Sequence, residues 1–150
     1  MSKQQKISLF LLRIALGWMF FYAGITKVLN PDWTAAGYLK GAKAFTGFYG
    51  WLADAGVSPL VDFANEWGLT LLGVSLVLGA LVRLSSVLGM LLMVLYYLPL
   101  GFPMPNTHAY IVDEHIIYIA ALFALFAWRA GRSWGLDRLL ARNPKLNQLG

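Results

Sequence analysis

Four long stretches of this chain are almost free of charge, and each is close to the length a helix needs to cross a lipid bilayer. They run from about Ile7 to Leu29, Pro59 to Val82, Leu84 to Leu100 and Ile111 to Arg129. At 1.5 Å rise per residue, about 20 residues cross ~30 Å of hydrocarbon. Only 13% of the residues are charged and the mean hydropathy is +0.62, whereas a soluble domain carries about 25% charged residues. Too few charges remain to build a water-exposed surface, so the chain reads as an integral membrane protein. The pattern predicts an all-α fold: a four-transmembrane-helix bundle forming one domain over residues 1–150.

The third stretch is the shortest, stopped by Pro99, Pro103 and Pro105. Only Arg83 and its small neighbours separate the second from the third, which predicts a tight helical hairpin. The first stretch does not read as a cleavable leader, because Lys27 and Pro31 follow it rather than a small-residue cleavage site. The segment from Asn30 to Ser58 is too long for a simple turn. Its Tyr38, Phe45, Phe48, Tyr49, Trp51 and Leu52 alternate irregularly with Gly, Lys and Thr. That predicts one or two short amphipathic helices on the outer interface, with Trp33 and Trp51 at headgroup level. Lys3, Lys6, Arg83, Arg129, Arg132, Arg138, Arg142 and Lys145 fall on one side of the spans. Asp32, Asp54, Asp62, Glu66, Asp113 and Glu114 fall on the other. The positive-inside rule then predicts a multi-pass protein of the cell membrane with both termini cytoplasmic. The pI of 9.6 and net charge of +5 are thus read as topology, not as a nucleic-acid surface. Cysteine is absent, which removes thiolate chemistry, iron–sulfur clusters and Cys-type zinc sites.

Ionisable residues near the ends of apolar segments are costly and suggest a polar pocket inside the bundle. In the first segment Arg13, Gly17, Phe20, Gly24 and Lys27 share one face. The glycines allow a neighbouring helix to approach closely, so both cations face protein. Arg13, about 9 Å from the inner helix end, can line an internal site, snorkel, or pair with Asp137. In the second segment Asp62, Glu66, Thr70 and Gly73 share a face. Glu66 is either a proton-transfer group or the partner of Lys27. Asp62 would raise its pKa and Lys27 would lower it. The fourth segment opens on Asp113-Glu114-His115, with Asp113 as the helix cap or facing water. His115 can shuttle protons near neutral pH or sit neutral against a loop carbonyl. Lys27, Glu66 and Glu114 or His115 are expected to meet between the first, second and fourth helices. Glu66, Glu114 and His115 are the candidate catalytic residues. Lys27, Arg13, Tyr22, Trp67 and Tyr118 are the candidate substrate-binding residues. Two histidines, His108 and His115, are too few for a convincing metal or haem site, and no metal, haem or flavin is expected. An aromatic slot between helices would suit a quinone head group as well as it would an interfacial belt.

The chain resembles the DoxX/DoxD family of small four-span membrane proteins over nearly its whole length. The resemblance rests on Leu12-Arg13-Ile14-Ala15-Leu16-Gly17-Trp18, Tyr22-Ala23-Gly24-Ile25-Thr26-Lys27 and Asn30-Pro31-Asp32-Trp33. It continues through Asn65-Glu66-Trp67-Gly68-Leu69-Thr70-Leu71-Leu72-Gly73, Arg83 and Val112-Asp113-Glu114-His115. It ends in Ala130-Gly131-Arg132-Ser133-Trp134-Gly135-Leu136-Asp137. The Trp33-to-Trp51 loop and the Asp-Glu-His motif are most similar to the DoxD branch. That resemblance implies a subunit of a thiosulfate:quinone oxidoreductase. Such an enzyme oxidises thiosulfate to tetrathionate on the outer face and passes two electrons to a membrane quinone, with a DoxA-type partner subunit. The other expectation is a non-enzymatic membrane component: a scaffold recruiting redox partners through its basic inner face, or a carrier of a lipid or small molecule. Either can work in contact with lipid alone or as a homo-oligomer.

Overall fold

The computed structural model describes residues 1–102 and 109–141, and the described residues form no strand. The helices are α1 (Lys3–Val28), α2 (Ala36–Lys40), α3 (Thr46–Leu52), α4 (Ser58–Leu78), α5 (Val82–Tyr97), α6 (Glu114–Ala127) and α7 (Asp137–Leu140). Short 3-10 turns follow α5 at Leu98–Leu100 and α6 at Ala130–Arg132. His108, Pro103, Pro105, Arg142 and Lys145 lie outside the described residues.

α1 opens in a capping box: Gln5 N–H donates to Ser2 Oγ at 3.2 Å, and Ser2 N–H donates to Gln5 Oε1 at 2.7 Å. Its most extensive packing is antiparallel against α4, while α5 packs chiefly against α6. The glycine face read from the sequence is the α1–α4 seam. A Cβ at Gly24 would lie 2.5 Å from Thr70 Oγ1, and one at Gly73 would collide with the Phe21 backbone. In the second pair Leu122 fills the notch at Gly89, 3.0 Å from where a Cβ would stand. The core between the pairs is built from Leu16, Phe20, Leu69, Leu76, Val82, Leu122 and Leu125.

Three helices are long and apolar enough to cross a membrane: Lys3–Val28, Ser58–Leu78 and Val82–Leu100. The fourth is shorter than the 111–129 stretch suggested. α6 has 14 residues, about 21 Å of rise. The cause is local. The Asp113 carboxylate caps the helix by accepting from His115 N–H at 3.0 Å and Ile116 N–H at 3.2 Å, so the chain turns helical only at Glu114. At the other end Arg129 takes a left-handed conformation, φ 47°.

The long loop also differs from a pair of helices lying on the interface. α2 and α3 fold onto the bundle end as a second small core of Ala35, Leu39, Tyr49 and Ala53. Tyr49 is buried and donates to the Leu95 carbonyl at 2.8 Å. Lys43 N–H donates to the Pro99 carbonyl at 2.8 Å. These bonds saturate carbonyls at the end of α5 that have no partner within the helix. Trp51 is exposed, as an interfacial anchor would be, but Trp33 is not: it turns inward. We call this capped end outer and the opposite end inner, following the charge asymmetry of the sequence.

Candidate functional site

α1 brings Lys27 to the outer end in its last turn. A turn held by the Trp33 N–H to Asn30 carbonyl bond (3.0 Å) returns the chain over it. The Lys27 ammonium then lies 4.9 Å from the centre of the Trp33 ring, within range of a cation–π contact. The next segment is tied to α4 by Asp62, whose carboxylate accepts from Ala35 N–H at 2.8 Å. Asp62 therefore works as a loop anchor, not as the group facing Glu66.

Across from Lys27, α5 and α6 supply the other wall. Tyr38 O–H donates to the Tyr96 carbonyl at 2.5 Å. Tyr96 O–H donates to Asn65 Oδ1. The Tyr96 ring stands edge-on to both Tyr38 and His115, with centroids 6.3 and 6.1 Å apart. His115 Nδ1 is 2.6 Å from Asp113 Oδ2. One Asp113 carboxylate thus caps α6 with one oxygen and orients the imidazole with the other. Nδ1 is the proton donor to that carboxylate, which leaves Nε2 as the nitrogen able to meet a ligand. Burial, with Tyr49 and Asp113 nearby, pushes the Tyr38 hydroxyl up to about 12, so it remains a donor at physiological pH.

Between these walls lies a cavity of about 640 Å³, within the range of small-molecule sites. Of Lys27, Glu66 and Glu114 or His115, which the sequence expected to meet, Lys27, Glu114 and His115 line it. Glu66 lies close enough to interact electrostatically with Lys27 but does not line the cavity. The expected meeting of Lys27, Glu66 and Glu114 or His115 therefore divides into a cavity and a carboxylate that acts on Lys27 without lining it.

The remaining candidates are elsewhere. Tyr22 is 60% and Trp67 42% exposed, and both turn to the apolar periphery. Tyr22 lies about 200° around α1 from Gly24, away from the seam, and stacks on Trp18 at 6.4 Å. Tyr118 packs on the core, edge-on to Phe20 at 6.5 Å, with its hydroxyl close enough to interact with Glu114 of the cavity wall without lining the cavity itself. Arg13 is about 21 Å along α1 from Lys27, at the inner end, and fully buried. It donates to the Ala130 and Trp134 carbonyls at 3.3 and 3.0 Å and interacts electrostatically with Asp137. Asp137 in turn accepts from Leu81 and Val82 N–H at 2.6 and 3.0 Å. Of the three sequence readings of Arg13, full burial excludes snorkelling; its hydrogen bonds go to backbone carbonyls, and Asp137 acts on it through its charge rather than through a direct ion pair. None of Arg13, Tyr22, Trp67 and Tyr118 lines the outer cavity.

Tyr38, Asn65, Tyr96 and Trp33 complete that cavity but were not singled out as site residues by the sequence. Asn65 carried the clearest signal: an amide beside Glu66 in an apolar helix. Among the described residues no group of three or more His, Asp or Glu is arranged to hold a metal ion.

The family model described as DoxX matches residues 8–99, from the second turn of α1 through α4 and α5. It stops short of Asp113-Glu114-His115, so the α6 wall of the cavity lies beyond the matched region. No curated protein and no solved structure matches the chain. More than half of the chain falls within the match, and its three longest helices can each span a bilayer: this is a membrane protein of the DoxX family.

Proposed function

We propose that the chain is the membrane subunit of a quinone-linked oxidoreductase, and that its outer cavity receives the quinone head group. The observation that carries this reading is the Asp113–His115 pair, 2.6 Å apart, set in an aromatic-walled cavity with Lys27 and Glu114. Trp33, Tyr38 and Tyr96 offer faces and edges for a flat ring. Lys27 offers a hydrogen-bond donor for a ring oxygen.

Reducing a quinone to the quinol takes two electrons and two protons. His115 Nε2–H of the protonated imidazole can supply one proton, with Asp113 stabilising the imidazolium. Glu114, exposed at the cavity edge, connects the site to outer water for the second. The electrons would come from two thiosulfate ions joining as tetrathionate. Asp113 and Glu114 face one lysine in the cavity, a balance that disfavours a dianion there. Thiosulfate is therefore oxidised on a DoxA-type partner subunit, and a neutral quinone occupies the cavity. A non-enzymatic carrier of a small neutral ligand would use the same cavity without turnover.

The test is an organic extract of the purified chain assayed for quinone, followed by thiosulfate-dependent quinone reduction with and without the partner. Bound quinone in the wild type, lost in Tyr96→Ala, is expected. Turnover should fall by about 10²–10⁴ in His115→Gln. Bound quinone without turnover under either condition would favour the carrier. No quinone, together with unchanged turnover in His115→Gln, would overturn the reading.

A further inference from the structure

At the opposite end of the bundle a second cavity, of about 320 Å³, is lined by Lys6, Arg132, Ser133, Trp134 and Arg138. Three of its five lining residues are cations and none is an acid. They come from three separate elements: α1, the turn after α6, and α7. The outer cavity is the reverse, with acids in excess.

The frame around this cavity is rigid. Arg13 holds the Trp134 carbonyl at 3.0 Å, and Asp137 is fixed by the Leu81 and Val82 amides. A Cβ at Gly131 or Gly135 would collide with Asp137 or with Arg13. Arg132 interacts electrostatically with Asp137.

Trp134 indicates the depth. It adopts a left-handed backbone conformation, φ 57°, which is unfavourable for a bulky residue. Its indole is nevertheless 56% exposed, with its ring edge-on to Phe10 at 5.6 Å. An indole presented outward at the end of a spanning helix sits at headgroup level. The Lys6 and Arg138 ammonium and guanidinium groups, both on exposed residues, are then at the level of lipid phosphates. Arginine forks and a serine hydroxyl are the donors that phosphate oxygens take.

We propose that this inner cavity is a binding site for a phosphate group, carried by an anionic phospholipid headgroup or as free phosphate. The site is independent of the quinone reading and of the outer cavity.

The experiment compares the full chain with two double variants of equal charge change: Lys6→Gln/Arg138→Gln in the cavity, and Lys40→Gln/Lys43→Gln at the outer end. Each is purified and exchanged into nanodiscs of zwitterionic lipid with or without phosphatidylglycerol. Native mass spectrometry reads the anionic lipid retained on release. In a parallel arm, inorganic phosphate is titrated against thermal stability in detergent. Retention should weaken roughly 30-fold in the cavity variant, from two near-surface cations, and remain at wild-type level in the outer variant. Phosphate-dependent stabilisation lost only in the cavity variant, without lipid retention, would identify free phosphate as the source. Equal behaviour of the two variants in both arms, whether both bind or neither does, would overturn the proposal.

Discussion

Replacing Asp137 with alanine tests the buried knot at the inner end most severely. Asp137 is 1% exposed. Its two oxygens accept the Leu81 and Val82 amides at the start of α5, at 2.6 and 3.0 Å, and its charge acts on Arg13, which is fully buried. Alanine removes a helix cap, leaves the part-buried Leu81 N–H and the buried Val82 N–H unpaired, and removes the negative charge near the buried Arg13 guanidinium. Loss of a cap alone costs about 1 kcal/mol. Leaving a buried donor unsatisfied costs about 1–3 kcal/mol, and removing the negative charge near the buried Arg13 takes the total toward the roughly 3–5 kcal/mol of losing a buried counter-charge. A loss of about 3–5 kcal/mol corresponds to about 6–20 °C in melting midpoint for a chain of this size. The assay is tryptophan fluorescence in detergent at one fixed scan rate, since such unfolding is often irreversible. Combining Asp137→Ala with Arg13→Met should cost clearly less than the sum of the two single changes, because the second removal relieves the orphaned charge. If Asp137→Ala melts within about 2 °C of wild type, or if the pair is additive, the knot does not hold the inner end together.

Three further outcomes follow from the same contacts. Gly73→Ala should lower stability by about 1–3 kcal/mol or more from overpacking, read as a lower melting midpoint, because its Cβ would meet the Phe21 backbone; Gly47→Ala, with open space around it, is the control. Burial raises the Tyr38 hydroxyl to about 12, above its unfolded value near 10. Its contribution to stability is therefore full below about pH 10 and is lost as pH rises through about 12. Alkaline melting curves should show that loss diminished in Tyr38→Phe, and identical curves would contradict it. Reporter fusions at Lys40 should read external, and those at Arg83 or after Arg138 cytoplasmic; an external C-terminus would invert the proposed orientation.

Much of the architecture was legible along the chain because lipid imposes one-dimensional rules. An apolar run has to be a helix to satisfy its backbone. Charge asymmetry suggested the two ends, and Gly17, Gly24 and Gly73 marked a close helix seam before any partner was known. The Asp113 cap was readable too, and so was a cluster at one end from the cost of isolated charge, though the expected set of Lys27, Glu66 and Glu114 or His115 came together without Glu66 in the cavity wall. Helical periodicity says which residues share a face; it does not say which neighbour that face meets. Hence Tyr22 and Trp67, plausible by type, turned to the periphery. Arg13 had three readings until Ala130, Trp134 and Asp137 closed around it. Trp33 and Tyr38 entered the cavity only because Asp62 and the α5 carbonyls pulled the long loop inward over the bundle. The sequence by itself determined helices, ends and the side chains too costly to leave in lipid. Only the tertiary structure decided which of them face one another, because that depends on loop closure and packing between segments far apart in the chain.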